Sequence, residues 1–304
     1  MSLYLPIAQI SMDAFLLTGV GLAVGILSGL FGIGGGFIMT PLLIFLGVPP
    51  FVAVGTGASQ VVASSVSGAL GHWRRKNVDV KLGLVLLAGG LIGSTFGVRL
   101  QQFLKALGQL EFFTAAIYVV MLSVVGGLML TESIRTLWPS KTTVVTTKAG
   151  RHTWFDGLPL KQRFRTAKLY ASAIPPVFIG ALVGVLTAIM GVGGGFLLIP
   201  ALIYMLHVPT RVALGTSGFQ IVFLTAYTTV LQATQNHSVD LFLALPLMLG
   251  GVTGAQLGVR MSEKLNAAQL RLLLSLLVLM VAVRMAYDLT IRPDELFNLE
   301  TIIP

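Results

Sequence analysis

A short glycine-rich block occurs twice in the chain, each time inside a long stretch without charged residues. The first copy reads GIGGGF from Gly32 and the second reads GVGGGF from Gly191. No Asp, Glu, Lys or Arg occurs from Ala14 to Trp73, or from Ala171 to Thr210. Because roughly 20 apolar residues cross a bilayer, these runs predict a duplicated membrane protein whose helices are broken at two matching points.

The composition excludes a water-soluble fold of this length. Hydrophobic residues make up 55% of the chain, charged residues make up 10%, and the mean hydropathy is +0.89. These polar side chains are too few to cover a soluble surface. The chain has no cysteine, which excludes disulfides, thiol catalysis and thiolate metal ligands. We therefore expect the lipid bilayer to be its solvent.

The net charge of +9 does not indicate nucleic-acid binding, because the positive charge is concentrated in one segment. Residues 131–170 contain eight of the twenty Lys and Arg residues. Cytoplasmic loops of membrane proteins carry such an excess. We expect this segment to be a basic cytoplasmic loop, and we expect no nucleic-acid partner.

Apolar runs bounded by charged or turn residues predict two sets of five segments. The first set lies near 12–31, 36–47, 51–73, 80–104 and 109–130, and the second near 171–191, 196–207, 210–233, 240–263 and 268–290. The second member of each set is short, so it forms a half-helix or a tilted, kinked span. The predicted fold class is an all-α polytopic membrane protein with 8–10 transmembrane segments. Its predicted parts are a first repeat (1–130), the basic loop (131–170), a second repeat (171–290) and a C-terminal tail (291–304).

The duplication extends well beyond the glycine blocks. The matching pairs are Val48-Pro49 with Val208-Pro209, Gly55-Thr56 with Gly215-Thr216, Gln60 with Gln220, Asp79 with Asp240, and Arg99 with Arg260. The loop from Arg74 to Lys81 is basic and predicted to be cytoplasmic, whereas its counterpart, Thr234–Asp240, has no Lys or Arg and is predicted to be external. This contrast favours inverted repeats. If the short segments only dip into the bilayer, the repeats would instead be parallel.

The glycine triplets are the first candidates for a site. A helix that unwinds inside a bilayer leaves N–H and C=O groups that lipid cannot satisfy, so a water-filled cavity or other protein must surround the break. The half-helices that follow the breaks would direct free N–H groups inward, an environment suited to a small anion. The predicted site glycines are Gly34, Gly35, Gly36, Gly193, Gly194 and Gly195. The alternative is close helix packing, which we favour for Gly93, Gly97, Gly254 and Gly258.

Uncharged polar residues near the breaks complete the candidate site. Each half contributes hydrogen-bonding side chains within about one helical turn, and these are predicted to bind substrate: Thr56, Ser59 and Gln60, with Thr216, Ser217 and Gln220. Hydrogen bonding between helices is the alternative role for these residues. No carboxylate falls in the middle of a predicted span, so the sequence shows no buried proton relay.

Two enzymatic interpretations of the motifs are weak. A dinucleotide-binding pattern would need a sixth-position glycine where Phe37 and Phe196 stand, and it would need a preceding strand. The segment Gly215–Gly218 has the shape of an intramembrane serine protease motif, but its first-half counterpart has no serine. We expect no enzymatic activity, no cofactor and no metal, and the sequence carries no signal for an oligomeric state.

With these motifs the sequence resembles the TauE/SafE family of sulfite exporter-like permeases. The resemblance rests on the duplicated glycine-triplet block, the Val-Pro…Gly-Thr…Gln runs at 48–60 and 208–220, and the Gly-Gly-x-x-Gly-x-x-x-Gly-Val-Arg helices at 89–99 and 250–260. It implies a multi-pass protein of the bacterial inner membrane that moves sulfite, a sulfonate or a related organosulfur anion by alternating access. A channel of the same architecture, or a permease for another anion such as a carboxylate, would have the same motifs.

Overall fold

The computed structural model describes residues 2–31, 35–137, 161–164, 166–167, 169–262 and 267–290. Within these ranges the helices form two sets of five. The first set is α1 (Ala14–Phe31), α2 (Gly36–Phe45), α3 (Pro50–Arg74), α4 (Val80–Ala106) and α5 (Leu110–Leu137). The second is α6 (Ile174–Met190), α7 (Gly195–Pro200), α8 (Thr210–Gln235), α9 (Leu241–Ser262) and α10 (Ala267–Thr290), with a π-helical turn at Ala201–Met205 continuing α7. The predicted all-helical class and the ten segments are confirmed.

A short antiparallel hairpin precedes each set of helices, and the sequence analysis did not predict it. In the first, β1 (Ser2–Leu5) pairs with β2 (Ile10–Asp13); in the second, β3 (Lys161–Phe164) pairs with β4 (Leu169–Ser172). Four-residue strands are too short for an alternating pattern to stand out. The second hairpin begins inside the segment predicted as a basic loop, and residues 138–160 of that segment lie outside the described residues.

Each first helix packs closely along a helix of the other set. A Cβ added to Gly25 of α1 would lie 2.4 Å from the Gly251 carbonyl oxygen of α9, and one added to Gly184 of α6 would lie 2.1 Å from the Gly90 carbonyl oxygen of α4. Only glycine permits backbones to approach this closely. The four glycines predicted to pack lie in these two interfaces, so that prediction is confirmed: Gly93, Gly97, Gly254 and Gly258.

Helices α3 and α8 lie side by side and run in opposite directions. Gly55, near the start of α3, contacts Ser238 just beyond α8, whereas Gly215, near the start of α8, contacts Asn77 just beyond α3. We call the end where α3 begins and α8 ends the Asp240 end, and the opposite end the Asp79 end. These two equivalent helices therefore run in opposite directions, while the inverted arrangement of the whole repeats remains a prediction.

Several described helices can cross a membrane. Five are long and apolar enough, namely α4, α5, α8, α9 and α10. Large apolar side chains point outward from them, with Phe96 of α4 62% exposed and Met280 of α10 73% exposed. Such outward apolar faces suit contact with lipid chains rather than water. The prediction of a multi-pass membrane protein is confirmed.

Candidate functional site

Both glycine blocks break the helix, as predicted. In the first half the chain leaves α1 at Phe31 and enters α2 through Gly35, whose φ of 57° is left-handed. In the second half Gly191 ends α6 with φ 68° and Gly194 precedes α7 with φ 69°. A side chain at any of these positions would strain the backbone. Gly34, also predicted for the site, lies outside the described residues.

The breaks leave N–H groups at the start of each short helix. In the second half the hydrogen bonds begin with the N–H groups of Leu197 and Leu198, which both donate to the Gly194 carbonyl oxygen. The N–H groups of Gly195 and Phe196 come before these and have no partner inside the helix. The first half repeats the pattern, with Ile38 and Met39 donating to Gly35. Each break thus presents N–H donors from which an anion can accept hydrogen bonds.

The two breaks meet at one place, between α3 and α8. A Cβ added to Gly36 would lie 2.8 Å from the Val192 carbonyl oxygen and 2.4 Å from Cγ2 of Val61. The rings of Phe37 and Phe196, which follow the two triplets, have centroids 6.0 Å apart. The duplicated motifs, separated by about half of the chain, are therefore neighbours. The packing around them is close, and a wet cavity between them remains a prediction.

Gln60 and Gln220 are the most unusual polar residues of this region. Both side chains are 0% exposed, and neither the amide nitrogen nor the amide oxygen of either residue has a hydrogen-bond partner among the described residues. They occupy equivalent places in the middle of α3 and α8. An unpartnered buried amide costs about 1–3 kcal/mol per group. Ligand binding by these two amides remains a prediction.

The two predicted threonines link the halves to each other. The Thr56 hydroxyl oxygen accepts from the Asp240 backbone N–H at 3.1 Å, and the Thr216 hydroxyl oxygen accepts from the Asp79 backbone N–H at 3.0 Å. Because each oxygen is the acceptor here, the hydroxyl proton stays available for a second acceptor. The threonines lie towards opposite ends of the molecule, unlike the central glutamine pair.

The two predicted serines use their protons within their own helices. The Ser59 hydroxyl donates to the Thr56 carbonyl oxygen at 2.6 Å, and the Ser217 hydroxyl donates to the Leu214 carbonyl oxygen at 3.1 Å. Bonds of this type are common for serine in membrane helices. Ser217, the serine of the protease-like motif, therefore donates to a carbonyl oxygen rather than to an imidazole.

The carboxylates of Asp79 and Asp240 fasten each hairpin to the opposite half, and the sequence analysis missed this role. The Oδ2 atom of Asp240 accepts from the N–H of Ile7 at 2.9 Å and from the N–H of Ala8 at 3.4 Å. Both residues lie in the turn of the first hairpin. The Oδ2 atom of Asp79 accepts from the N–H groups of Thr166 and Ala167 in the second hairpin, at 2.9 Å each. The remaining Asp79 oxygen caps α4 through Leu82. The repeated Asp was visible in the sequence, but its distant partner was not.

A second feature that the sequence analysis missed is a buried amide network near the Asp240 end. Gln232 donates to the Gln101 side-chain oxygen at 2.6 Å and to the Ala188 carbonyl oxygen at 3.0 Å. Asn236 donates to the side-chain oxygens of Gln232 and Gln101 at 2.7 Å and 3.2 Å. Gln101 itself donates to the Ile189 carbonyl oxygen at 3.4 Å. The network therefore holds the last carbonyls of α6, just before its break. The spacing of Gln232 and Asn236, one helical turn apart, was the available sequence signal.

Charge is absent from the elements that meet at the breaks. By sequence, α1, α2, α6 and α7 contain no Asp, Glu, Lys or Arg, and neither do α3 before Arg74 and α8 after Arg211. Only amides, hydroxyls and backbone groups can therefore interact with a ligand there. Such a site can bind an anion by hydrogen bonds and helix-end partial charges, without a full positive charge.

The chain is similar to probable membrane transporter proteins over almost its whole length. The family model described as "Sulfite exporter TauE/SafE" matches residues 17–285. A probable membrane transporter protein of Bacillus subtilis (strain 168), YunE, is 26% identical over 91% of this chain and 98% of its own length. A probable membrane transporter protein of Xylella fastidiosa (strain 9a5c) is 28% identical over 87% of this chain and 92% of its own length.

One plant relative carries the family description in its name. The sulfite exporter TauE/SafE family protein 3 of Arabidopsis thaliana is 34% identical over 29% of this chain and 19% of its own length. No solved structure matches the chain at a significant level.

Proposed function

Because the chain belongs to the sulfite exporter TauE/SafE family of membrane transporters, we propose that it is a secondary transporter that moves a small sulfur-containing oxyanion across the bacterial inner membrane. The observation that supports this most directly is the pair of buried, unpartnered amides of Gln60 and Gln220, which lie against Gly251 of α9 and Gly90 of α4. The residues that follow them in sequence, Val61 and Ile221, lie against the breaks. Sulfite and organosulfonates present several acceptor oxygens around one sulfur. Side-chain amides and the N–H groups at helix starts are both donors that such a group can accept from.

The other predicted residues take graded roles in this proposal. Gly35, Gly36, Gly194 and Gly195 shape the breaks, and Gly34 and Gly193 belong to the same triplets. The hydroxyls of Thr56 and Thr216, whose oxygens accept from Asp240 and Asp79, would donate their protons to the anion's oxygens as it enters or leaves the centre. Ser59 and Ser217 would have to release their own carbonyl bonds first, so they would contribute only after a rearrangement.

The opposite directions of equivalent helices support alternating access by inverted repeats. The Asp79 end carries Arg74, Arg75, Lys76 and Lys81, whereas residues 236–240 at the Asp240 end include no Lys or Arg. By the positive-inside bias, the Asp79 end is cytoplasmic and the Asp240 end external. Rocking of one half against the other around the central amides would expose the anion to each side in turn.

The experiment that tests this proposal is a binding and uptake series on the purified protein. Binding of sulfite, sulfate, thiosulfate, sulfoacetate and acetate would be compared, followed by uptake of the radiolabelled form of the tightest ligand into proteoliposomes. We expect a sulfur oxyanion to bind most tightly and its uptake to saturate with concentration. Preference for acetate would contradict the substrate class, and uptake that does not saturate would indicate a channel.

A further inference from the structure

A cleft opens on the surface at the Asp240 end, where α3 begins and α4 and α8 end. It has a volume of about 390 Å³ and is lined by Phe51, Gln102, Lys105, Asn236 and His237, among others. The Lys105 ammonium lies 3.8 Å from the centre of the Phe51 ring. No carboxylate is among the lining residues. One full positive charge, an imidazole and side-chain amides thus surround a space that is open to solvent.

The floor of this cleft is the first member of the buried amide network. Asn236 lines the cleft and is 8% exposed, while Gln101 and Gln232 behind it are each 1% exposed. From Asn236 the hydrogen bonds pass to Gln232 and Gln101, and from these to the carbonyls of Ala188 and Ile189. These two carbonyls belong to the last turn of α6, next to the break at Gly191. The network therefore connects the cleft to the end of α6, beside the second break.

The opposite end is built differently at the equivalent positions. The backbone N–H of Asn77 donates to the His72 carbonyl oxygen. The backbone N–H of Ser238 donates in the same way to the Gln232 carbonyl oxygen. His72 is therefore the counterpart of Gln232. The Nδ1 atom of His72 is buried and has no hydrogen-bond partner among the described residues. An amide network therefore fastens the Asp240 end, whereas at the Asp79 end the counterpart of Gln232 has a ring nitrogen without a partner among the described residues.

Building on the transport function proposed above, we propose that the cleft is an access site for the oxyanion, and that the amides of Gln101, Gln232 and Asn236 form the closed gate between this site and the central glutamines. Lys105 and His237 attract the anion and provide donors in the cleft. The gate opens when Gln232 of α8 and Asn236, which follows α8, separate from Gln101 of α4. A gate made of neutral amides can break and re-form without leaving a buried charge.

The gate is tested by thiol labelling. The chain contains no cysteine, so an introduced cysteine is the only thiol that can react. Ser28 lies against Gly35 at the first break and is 5% exposed, so Ser28→Cys places one thiol at the centre. In right-side-out vesicles an impermeant maleimide should label this thiol slowly. Adding Gln232→Leu should raise the labelling rate by roughly tenfold, because the gate loses its connecting hydrogen bonds. An unchanged rate would overturn the gate.

The control for this experiment is Thr228→Val in the same helix. Thr228 shares a buried hydrogen bond of 2.8 Å with Ser94 of α4, one turn from the network. The variant breaks a contact between the same two helices outside the gate, so labelling should stay at the parental rate. Equal acceleration by both variants would show that any loosening of α4 from α8 admits the reagent, and would overturn the gate.

A second measurement does not depend on the fold surviving Gln232→Leu. In the double variant Gln101→Cys and Gln232→Cys, a short bis-methanethiosulfonate linker, which fills the space of the two side chains and is cleaved by reductant, joins α4 to α8. Uptake of radiolabelled sulfite should be lost on cross-linking and return with reductant, and uptake that persists after complete cross-linking would overturn the gate. If the reduced protein moves none of the tested anions, the transport function fails, while the labelling result still tests the gate.

The access site is tested through Lys105. Lys105→Gln should raise the KM for sulfite entering from the Asp240 end by roughly fivefold and leave kcat unchanged, as expected for one partly exposed charge. Lys105→Arg keeps the charge and should retain the parental KM. Equal KM values for Lys105→Gln and the parent would overturn the access site.

Discussion

The backbone N–H of Asp240 donates a hydrogen bond to the hydroxyl oxygen of Thr56 over 3.1 Å. The equivalent bond joins Asp79 to Thr216 over 3.0 Å. Both bonds cross from one repeat to the other, and both lie next to a carboxylate that holds the opposite hairpin. The duplication has therefore produced two reciprocal junctions, one at each end of α3 and α8, around the central glutamines.

These junctions predict selective release of one hairpin. One carboxylate oxygen of Asp240 accepts from the N–H groups of Ile7 and Ala8. Asp240→Asn removes the negative charge and replaces one of the two oxygens with an NH₂ group. It therefore weakens two charge-assisted hydrogen bonds, worth about 1.5–3 kcal/mol each. Hydrogen exchange at Ile7 and Ala8 should accelerate by at least about tenfold. Mass spectrometry of the purified protein would measure it.

The two hairpins provide a matched control for each other. Asp79→Asn should accelerate exchange at Thr166 and Ala167 and leave Ile7 and Ala8 protected, whereas Asp240→Asn should do the reverse. Acceleration of both hairpins in either variant would show general loosening rather than two separate junctions.

Glycine at the second break is required by backbone and by space together. Gly194 and Gly108 both have φ +69°, but a Cβ on Gly194 would lie 2.2 Å from Cγ1 of the buried Val183, whereas nothing lies within 4 Å of one on Gly108. Gly108→Ala should cost about 1–2 kcal/mol for the left-handed backbone. Gly194→Ala should cost a further 1–3 kcal/mol, roughly, for overpacking. Thermal unfolding in detergent, followed by circular dichroism, would compare them, and equal losses would contradict the account.

The repeat explains how much could be predicted from the sequence. Features that occur in both halves were visible in the sequence as pairs. The sequence therefore predicted the breaks at Gly35 and Gly194, and the glutamine pair, without showing where they lie in space. The amide network joins Gln101 of the first half to Gln232 of the second at the Asp240 end, and at the other end His72 stands where Gln232 would be. Nothing in the repeat therefore marked it.

Long-range contacts between the halves could not be predicted for a different reason. Asp79 and Asp240 look like ordinary residues at helix starts, and their bonds to the hairpin turns join positions that are 87 and 233 residues apart. The turn N–H groups that they bind carry no side-chain signature. The hairpins themselves have four-residue strands, too short for a periodic pattern to distinguish them from a polar helix start.

Close backbone packing predicts opposite effects of alanine at two glycines of the α1–α9 interface region. A Cβ on Gly254 would lie 2.2 Å from the Leu22 carbonyl oxygen, whereas nothing lies within 4 Å of one on Gly19. Gly254→Ala should push α1 from α9 and lower the unfolding temperature. Gly19→Ala should raise it slightly, because alanine stabilises a helix by about 1 kcal/mol relative to glycine. A loss of stability in both variants would contradict the close-packing interpretation.

The central claim is that Gln60 and Gln220 bind the anion, and its most direct test is the affinity of the double variant Gln60→Leu and Gln220→Leu for sulfite, measured by titration calorimetry. Gln256→Leu is the control, because Gln256 lies on an exposed face of α9. Losing two donor amides should weaken binding at least about fivefold, since each hydrogen bond contributes roughly 0.5–1.5 kcal/mol, while the control keeps the parental affinity. Parental affinity in a folded double variant would contradict the account.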